Sequence, residues 1–244
     1  MTKAEIQLIR ALADKRGRTE HGLFIAEGEK LVGELLASHL RVRKIFALDG
    51  IFEGPDVEVV APRDMERLSQ LKTASNSLAI VEIPRYDIAT ARAAEGLTLA
   101  LDDVQNPGNM GTIIRLADWF GIRDVVCSEG SADCFNPKVV QATMGAILRV
   151  RVHYTDLGKY LVDAAERGRA ICGTFLDGEN IYDAALPTSA VVVMGNEGRG
   201  IRPETARAVT RRLFIPPYPA DRRGSESLNV AMATGIVCSE FRRR

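Results

Sequence analysis

Three short segments after residue 97 of this chain set glycine, amide and charged residues at the end of an apolar run. They are the places where its residue types can do chemistry. The first is LDDVQNPGNMGTIIRLADWFG, residues 101–121. Gly108 and Gly111 let the backbone turn tightly and approach a ligand closely, and the Asn109 amide both accepts and donates. Arg115 follows in the first or second turn of a helix, where a guanidinium can reach back and grip a phosphate bidentately. A glycine-rich turn capped by Asn109, with Arg115 on a solvated face, explains the same residues. This segment alone does not separate the two readings.

The second segment is VVVMGNEGRGI, residues 191–201. Its glycines read G-x-x-G-x-G rather than the dinucleotide-binding G-x-G-x-x-G, and Glu197 sets negative charge where a pyrophosphate would lie. No Gly-Lys-Ser/Thr follows, so it is not a P-loop. Glu197 is either a solvated loop acid or a functional one. The third segment is LFIPPYPADRRGSESLNVAMATG, residues 213–235. Ile215-Pro216-Pro217 stops a strand. Ser225, Glu226 and Ser227 then precede an apolar helix as N-terminal caps should, with Ser227 and Asn229 near its positively polarised end.

Strands and helices must bring these loops together. From residue 97 onward the two alternate: LTLALDDV, DVVC, RVRVHY, AICGTF, AVVVMG and RLFIPP read as strands, and TIIRLADWFG, PKVVQATMGAIL, LGKYLVDAAERG, PETARAVT and SLNVAMATGIVCSEF as helices. Near-continuous apolar strands between helices predict a parallel sheet covered on both faces, and ligands gather at the carboxyl ends of such strands. Residues 1–84 form a smaller α/β unit. A helix over 4–13 places Ile6, Ile9 and Leu12 at helical spacing, and a helix over 29–38 does the same for Leu31, Leu35 and Leu36. Strands are predicted at 22–28, 43–49, 57–61 and 77–83, with Pro62 opening a helix between the last two. PRYDIATARAAEG, residues 84–96, opens with proline and ends in glycine, so 85–96 is taken as the linker and 97–244 as the second domain.

Bulk properties narrow the function class. The chain has 244 residues, 46% hydrophobic and 26% charged, with a formal net charge of zero. That is ordinary globular composition, and no apolar run reaches the about 18 residues of a membrane span. The amino terminus lacks a secretory signal's apolar stretch, so the expected location is cytoplasmic. Cys127, Cys134, Cys172 and Cys238 form no Cys-x-x-Cys pair and read as reduced, buried thiols. His21, His39 and His153 are scattered, so no metal is expected. The neutral charge weighs against a nucleic-acid partner, but basic clusters occur at 15–18, 211–212, 221–223 and 242–244. Each is by default solvated surface, and only convergence on one face makes a phosphate track.

Taken together, the three segments resemble the three motifs of the SpoU (TrmH-like) family of RNA 2'-O-ribose methyltransferases in the SPOUT superfamily. The matching residues are Asn109-x-Gly111-x-x-x-Arg115, then Gly195-x-Glu197-Gly198-x-Gly200-Ile201, then Ile215-Pro216 with Ser227-Leu228-Asn229-Val230. They occur in order and span residues 97–241. The first domain, with QLIRALADKRGRTEHGLFIAEGEKLV at residues 7–32, is similar to the L30e-like RNA-binding module that many members carry. The stretch between Ile215 and Ser227 is longer than the family's common form, with Pro219 to Arg223 inserted. The resemblance implies an α/β fold with a C-terminal deep trefoil knot, which periodicity would not predict. It implies S-adenosylmethionine as cofactor, held around Met194, Gly195, Gly200, Ile215 and Leu228. It assigns catalysis or RNA placement to Asn109, Arg115, Glu197, Ser227 and Asn229, and implies a homodimer paired through the knot. The expected substrate is RNA, ribosomal in preference to transfer RNA. The alternatives are a silent RNA-binding module and a nicotinamide-dependent Rossmann enzyme, and the latter lacks its fingerprint after the domain's first strand. A guanidinium keeps its proton, so Arg115 is expected to position a phosphate and stabilise oxyanion charge rather than act as a simple base.

Overall fold

The computed structural model describes residues 1–219 and 227–243. In chain order the helices are α1 (Lys3–Ala11), α2 (Lys15–His21), α3 (Glu29–Leu36), α4 (Pro62–Leu68), α5 (Ile88–Arg92), α6 (Pro107–Trp119), α7 (Pro137–Ala142), α8 (Leu157–Glu166), α9 (Pro203–Ala206) and α10 (Val230–Arg242). The strands are β1 (Leu23–Glu27), β2 (Val42–Ala47), β3 (Val57–Val59), β4 (Ser77–Glu82), β5 (Leu97–Leu101), β6 (Asp124–Ser128), β7 (Arg151–Thr155), β8 (Ala170–Phe175), β9 (Glu179–Asn180), β10 (Ala190–Met194) and β11 (Arg211–Phe214). Two compact units result: residues 1–85 with 133–148, and 86–132 with 149–244.

The first unit is built on a mixed sheet in the order β1-β4-β2-β3, with β2 and β3 parallel and the other pairs antiparallel. Side chains alternate across a strand, and both faces of β1 are buried. Leu23 and Ile25 join Ile9 of α1, Leu12 at its C-cap, and Met65 and Leu68 of α4 in one core. Phe24 points the other way and meets Phe135, ring centroids 4.8 Å apart. The segment 133–148 is thus drawn to this unit because, together with α3, it covers the sheet's second face. A buried ion pair fastens it: Arg18, 2% exposed, donates from Nε and Nη2 to Asp133 at 2.9 and 2.6 Å, and from Nη1 to the carbonyls of Leu12 and Ala13.

Several expectations are corrected here. The basic run 15–18 is the start of α2, and Arg18 is buried rather than solvated. Leu36 is 54% exposed and Val32 takes its place in the core. The predicted linker contains α5, capped by Asp87 and burying Ala91. The single helix predicted over 137–148 breaks after Ala142, where Met144 (φ 51°) and Gly145 (φ 90°) are left-handed, and resumes as a 3-10 turn at Ala146–Leu148.

The second unit carries a sheet in the order β7-β6-β5-β10-β8-β11-β9 with every pairing parallel. Ala100, Val126, Val191 and Val193 face α5 and α8, burying Leu157, Tyr160, Leu161 and Ala164. Leu99, Leu101, Val125 and Cys127 alternate to the opposite face and are buried too, where α6 contacts β6 and α10 lies against α6. Both faces are covered, as the apolar strands predict. All four cysteines are buried.

Candidate active site

The motif loops leave the carboxyl ends of β5, β10 and β11, all in the second unit. The first loop enters α6 through Pro107, and the cap is Asn106 rather than Asn109. The Asn106 Oδ1 accepts from the N–H groups of Gly108 and Asn109 at 2.8 and 3.1 Å. Relieved of capping, the Asn109 side chain is free to bridge. Its Nδ2 donates to Glu197 Oε1 at 2.9 Å, and its Oδ1 accepts from Asn229 Nδ2 at 3.0 Å. One hydrogen-bonded chain, Asn229–Asn109–Glu197, therefore joins a residue from each of the three motifs.

Glu197 also receives two main-chain donors, the N–H of Asn106 at 3.1 Å and that of Gln105 at 3.4 Å. Burial pushes its carboxyl up, but the Asn109 amide and these backbone N–H groups outweigh burial and hold it below the ordinary carboxylate range. It is an anion at neutral pH. Asn229 is the N-cap of α10, with Oδ1 accepting from Ala231 and Met232. Capping was expected from Ser225, Glu226 and Ser227. The first two lie outside the described residues, and Ser227 is exposed and precedes the cap by two positions.

The second loop is a closed turn. Asn196 and Gly200 exchange N–H···O bonds of 2.9 and 3.0 Å, Asn196 Oδ1 accepts from Gly198 and Arg199, and Gly200 is left-handed at φ 70°. Gly195 serves the chain first: a Cβ there would sit 2.3 Å from the backbone of Gly200 and Ile201. Met194 is buried, its carbonyl accepts from the Asp102 N–H at 2.8 Å, and its sulfur lies 3.7 Å from Thr174 Oγ1.

Beneath these loops lie two aspartates whose roles the sequence reading missed. Asp102, fully buried, accepts from the Arg202 N–H and Nε, both at 2.8 Å, and from its Nη2 at 2.7 Å. This raises the Arg202 guanidinium pKa further, the hydrogen bond being the main cause. Asp103 is left-handed at φ 64° and pairs with Arg199 at 2.6 Å. The signal available was two adjacent acids closing an apolar strand, answered by arginines at 199 and 202.

The remaining predicted residues stand around this cluster without bonding to it. Arg115 is exposed on α6, and its side chain makes no hydrogen bond or ion pair among the described residues. It lies about 9 Å along the axis from Asn109 at 1.5 Å rise per residue, and helical side chains lean back toward the N-terminus. Leu228 is 52% exposed, and Ile215 half-buried. Leu176, which leaves β8 between the loops of β10 and β11, is 67% exposed. These apolar side chains left uncovered at the carboxyl edge suit a flat heteroaromatic ring, and the amide and carboxylate groups beside them suit a polar ligand tail. S-adenosylmethionine fits this donor set. The other basic clusters are largely spent internally: Arg211 pairs with Glu179, Arg212 with Asp177 and the Phe175 ring, and Arg243 with Glu240, while Arg242 donates to the Phe120 carbonyl. Residues 221–223 and 244 lie outside the described residues.

A family model for the SpoU rRNA Methylase family matches residues 96–239, and one for the MRM3-like substrate binding domain matches residues 3–82. The chain is 31% identical over 238 residues to the 23S rRNA (guanosine(2553)-2'-O)-methyltransferase RlmP of Bacillus subtilis, covering 95% of this chain and 93% of that protein. Among solved structures, a TrmH-family protein from Porphyromonas gingivalis superposes with TM-score 0.89 and 42% identity, covering 100% of this chain and 98% of that one. An AdoMet-bound rRNA methyltransferase from Sinorhizobium meliloti superposes with TM-score 0.88 and 28% identity, covering 100% and 95%.

Proposed function

The chain belongs to the SpoU rRNA methylase family, and on that premise we propose that it methylates a ribose 2'-hydroxyl of RNA using S-adenosylmethionine. The observation that carries this reading is the chain Asn229–Asn109–Glu197, which gathers all three motif loops at one sheet edge. Ribosomal RNA is the preferred substrate over transfer RNA, in keeping with the 23S rRNA enzyme that the chain resembles over nearly its full length.

When bound, the cofactor supplies an electrophilic methyl group on a sulfonium centre. Leu228, Ile215 and the main chain around Met194, Gly195 and Gly200 would hold it. The attacking hydroxyl is a weak nucleophile and must shed its proton as the bond forms. Arg115 places an adjacent phosphate and stabilises negative charge growing on that oxygen. Asn109 is oriented from both sides, so its remaining N–H is aimed rather than free to rotate. Glu197 orients Asn109 and keeps spare lone pairs for a ribose hydroxyl. Ser227 supplies a hydroxyl beside the α10 N-terminus.

The finer parts of the reading have support of their own. A trefoil knot is consistent with α10 returning to α6, the helix after β5, although β11 is separated from β5 by β8 and β10. Pairing of two copies through this region is supported by Trp119 of α6, 83% exposed, and Met232 of α10, 64% exposed. The first unit would be the L30e-like RNA-binding module, in line with the substrate-binding family model it matches. A cytoplasmic location suits an RNA-modifying enzyme, and no helix among the described residues is long and apolar enough to cross a membrane.

Arg115→Ala is the direct test. Turnover on ribosomal RNA should vanish while calorimetric binding of S-adenosylmethionine stays near that of the unaltered protein. Unchanged turnover would remove Arg115 from the mechanism, and absence of cofactor binding by the unaltered protein would end the proposal. Mapping 2'-O-methyl sites in RNA from cells with and without the gene would identify the nucleotide.

A further inference from the structure

We propose that Asp103 is a positioning residue that clamps the Asn196–Gly200 turn so that Glu197 meets Asn109, an inference that rests on the methyltransferase reading for its consequence. Three observations converge on it. Asp103 holds a left-handed backbone at φ 64°, which glycine adopts at no steric cost and side-chain-bearing residues adopt seldom. Aspartate is one of the few such residues that tolerate it, so the conformation can hold a carboxylate at this turn. Its main chain and one carboxylate oxygen are engaged: the N–H donates to Ser128 Oγ at 2.9 Å, the carbonyl accepts from Asn196 Nδ2 at 2.7 Å, and Oδ2 accepts from Arg199 Nη2 at 2.6 Å and from Gln105 Nε2 at 3.4 Å. Asn196 and Arg199 are the first and fourth residues of a turn already closed by its own bonds. A rigid turn held at two points has its remaining side chain placed, and Glu197 lies between those points. The third observation is Gly130. A Cβ there would lie 2.1 Å from Asp103 Oδ1, so this glycine makes room for the carboxylate in its clamping position.

The two residues give independent perturbations. Asp103→Gly keeps the backbone conformation and deletes the carboxylate. Gly130→Ala leaves Asp103 in place and pushes its carboxylate aside. Asp103→Asn tolerates the left-handed conformation and restores a neutral acceptor. Hydrogen–deuterium exchange over residues 195–201 and methyl transfer to ribosomal RNA are measured on the full chain, with melting temperature as control. Asp103→Gly and Gly130→Ala should both speed exchange in 195–201. Turnover should fall by roughly tenfold to a hundredfold, as a misplacement near 1 Å does, with melting temperature close to that of the unaltered protein. Asp103→Asn should recover most of both. Unchanged exchange in Asp103→Gly overturns the clamp, and faster exchange with unchanged turnover overturns its link to the reaction. If the unaltered protein transfers no methyl group, the activity reading fails by itself, and the exchange comparison still decides the clamp.

Discussion

Replacing Glu197 by alanine should cut methyl transfer by up to about a hundredfold, and the figure follows from its partners. The carboxylate accepts from Asn109 Nδ2 at 2.9 Å, from the Asn106 N–H at 3.1 Å and from the Gln105 N–H at 3.4 Å. The last is beyond the usual range for N–H···O, so two full bonds remain. A bond to a charged group contributes about 1.5–3 kcal/mol net. Glu197 sits on an exposed loop, so the lower end applies and the pair comes to about 3 kcal/mol. At about 1.4 kcal/mol per tenfold, that is on the order of a hundredfold in the population of assembled site. Glu197→Gln keeps an oxygen for the Asn109 and Asn106 donors and loses only their charge assistance, about 1 kcal/mol, so roughly fivefold is expected. Single-turnover methyl transfer with saturating cofactor reads both variants. An Ala variant within about threefold of the unaltered protein would refute the reasoning. So would a Gln variant as damaged as the Ala one, because the bonds to Asn109 and Asn106 would then not be what matters. The folded-state pKa of Glu197 is lowered. Its contribution is therefore fully present above the ordinary 4.5 and is lost as pH falls through the depressed value, so the activity of the unaltered enzyme should not fall on Glu197's account between neutral pH and 5.

Further expectations concern the frame around the site. Asp102→Ala strands the Arg202 N–H and removes the buried partner of its guanidinium, leaving only Glu204; breaking a buried pair costs about 3–5 kcal/mol, taken at about 3 because Arg202 is 35% exposed. At about 2–4 °C per kcal/mol for a chain of this size, calorimetry should show melting lowered by about 6–12 °C. Arg18→Ala leaves Asp133 and the Leu12 and Ala13 carbonyls without their shared donor. Limited proteolysis should then cut within 133–148 faster than in the unaltered protein; equal cutting would show that Phe135 packing suffices. Glu5 is held down from its ordinary 4.5 to about 2, first by the hydrogen bond from Lys44 and then by that from Thr2. The stability it adds is complete above pH 4.5 and disappears as pH falls through about 2. The melting-temperature gap between the unaltered protein and Glu5→Gln should therefore close over that window, and a gap constant from pH 6 to pH 2 would contradict the assignment.

What the sequence disclosed depends on the range of the forces involved. The parallel sheet was legible because six apolar strands alternate with helices, and the three loops were legible because ligands collect at carboxyl edges. Where burial comes from a distant partner, the pattern fails. KRGRTEH shows no apolar period, yet α2 forms because Arg18 finds Asp133 far along the chain. PKVVQATMGAIL carries a helical period throughout, yet it breaks where Met144 and Gly145 turn left-handed. From sequence Asn109 looks as good a cap as Asn106, and Ser227 as good as Asn229; the structure caps α6 with Asn106 and α10 with Asn229, and only the three-dimensional bridge shows that Asn109 and Asn229 meet. Asp102 and Asp103 looked like the tail of a strand, since their arginine partners lie about a hundred residues away, on the next strand's exit loop.

The stretch 133–148 shapes how this protein can be divided. Because part of the second face of the amino-terminal sheet is covered by residues encoded well downstream, no single cut yields two self-sufficient pieces. A recombinant fragment ending at residue 85 would display Phe24 to water and leave the Arg18 cation enclosed without its counterion. An expression scheme for that half must graft the downstream segment back through a short connector, and any exchange of amino-terminal halves between relatives must carry the segment along.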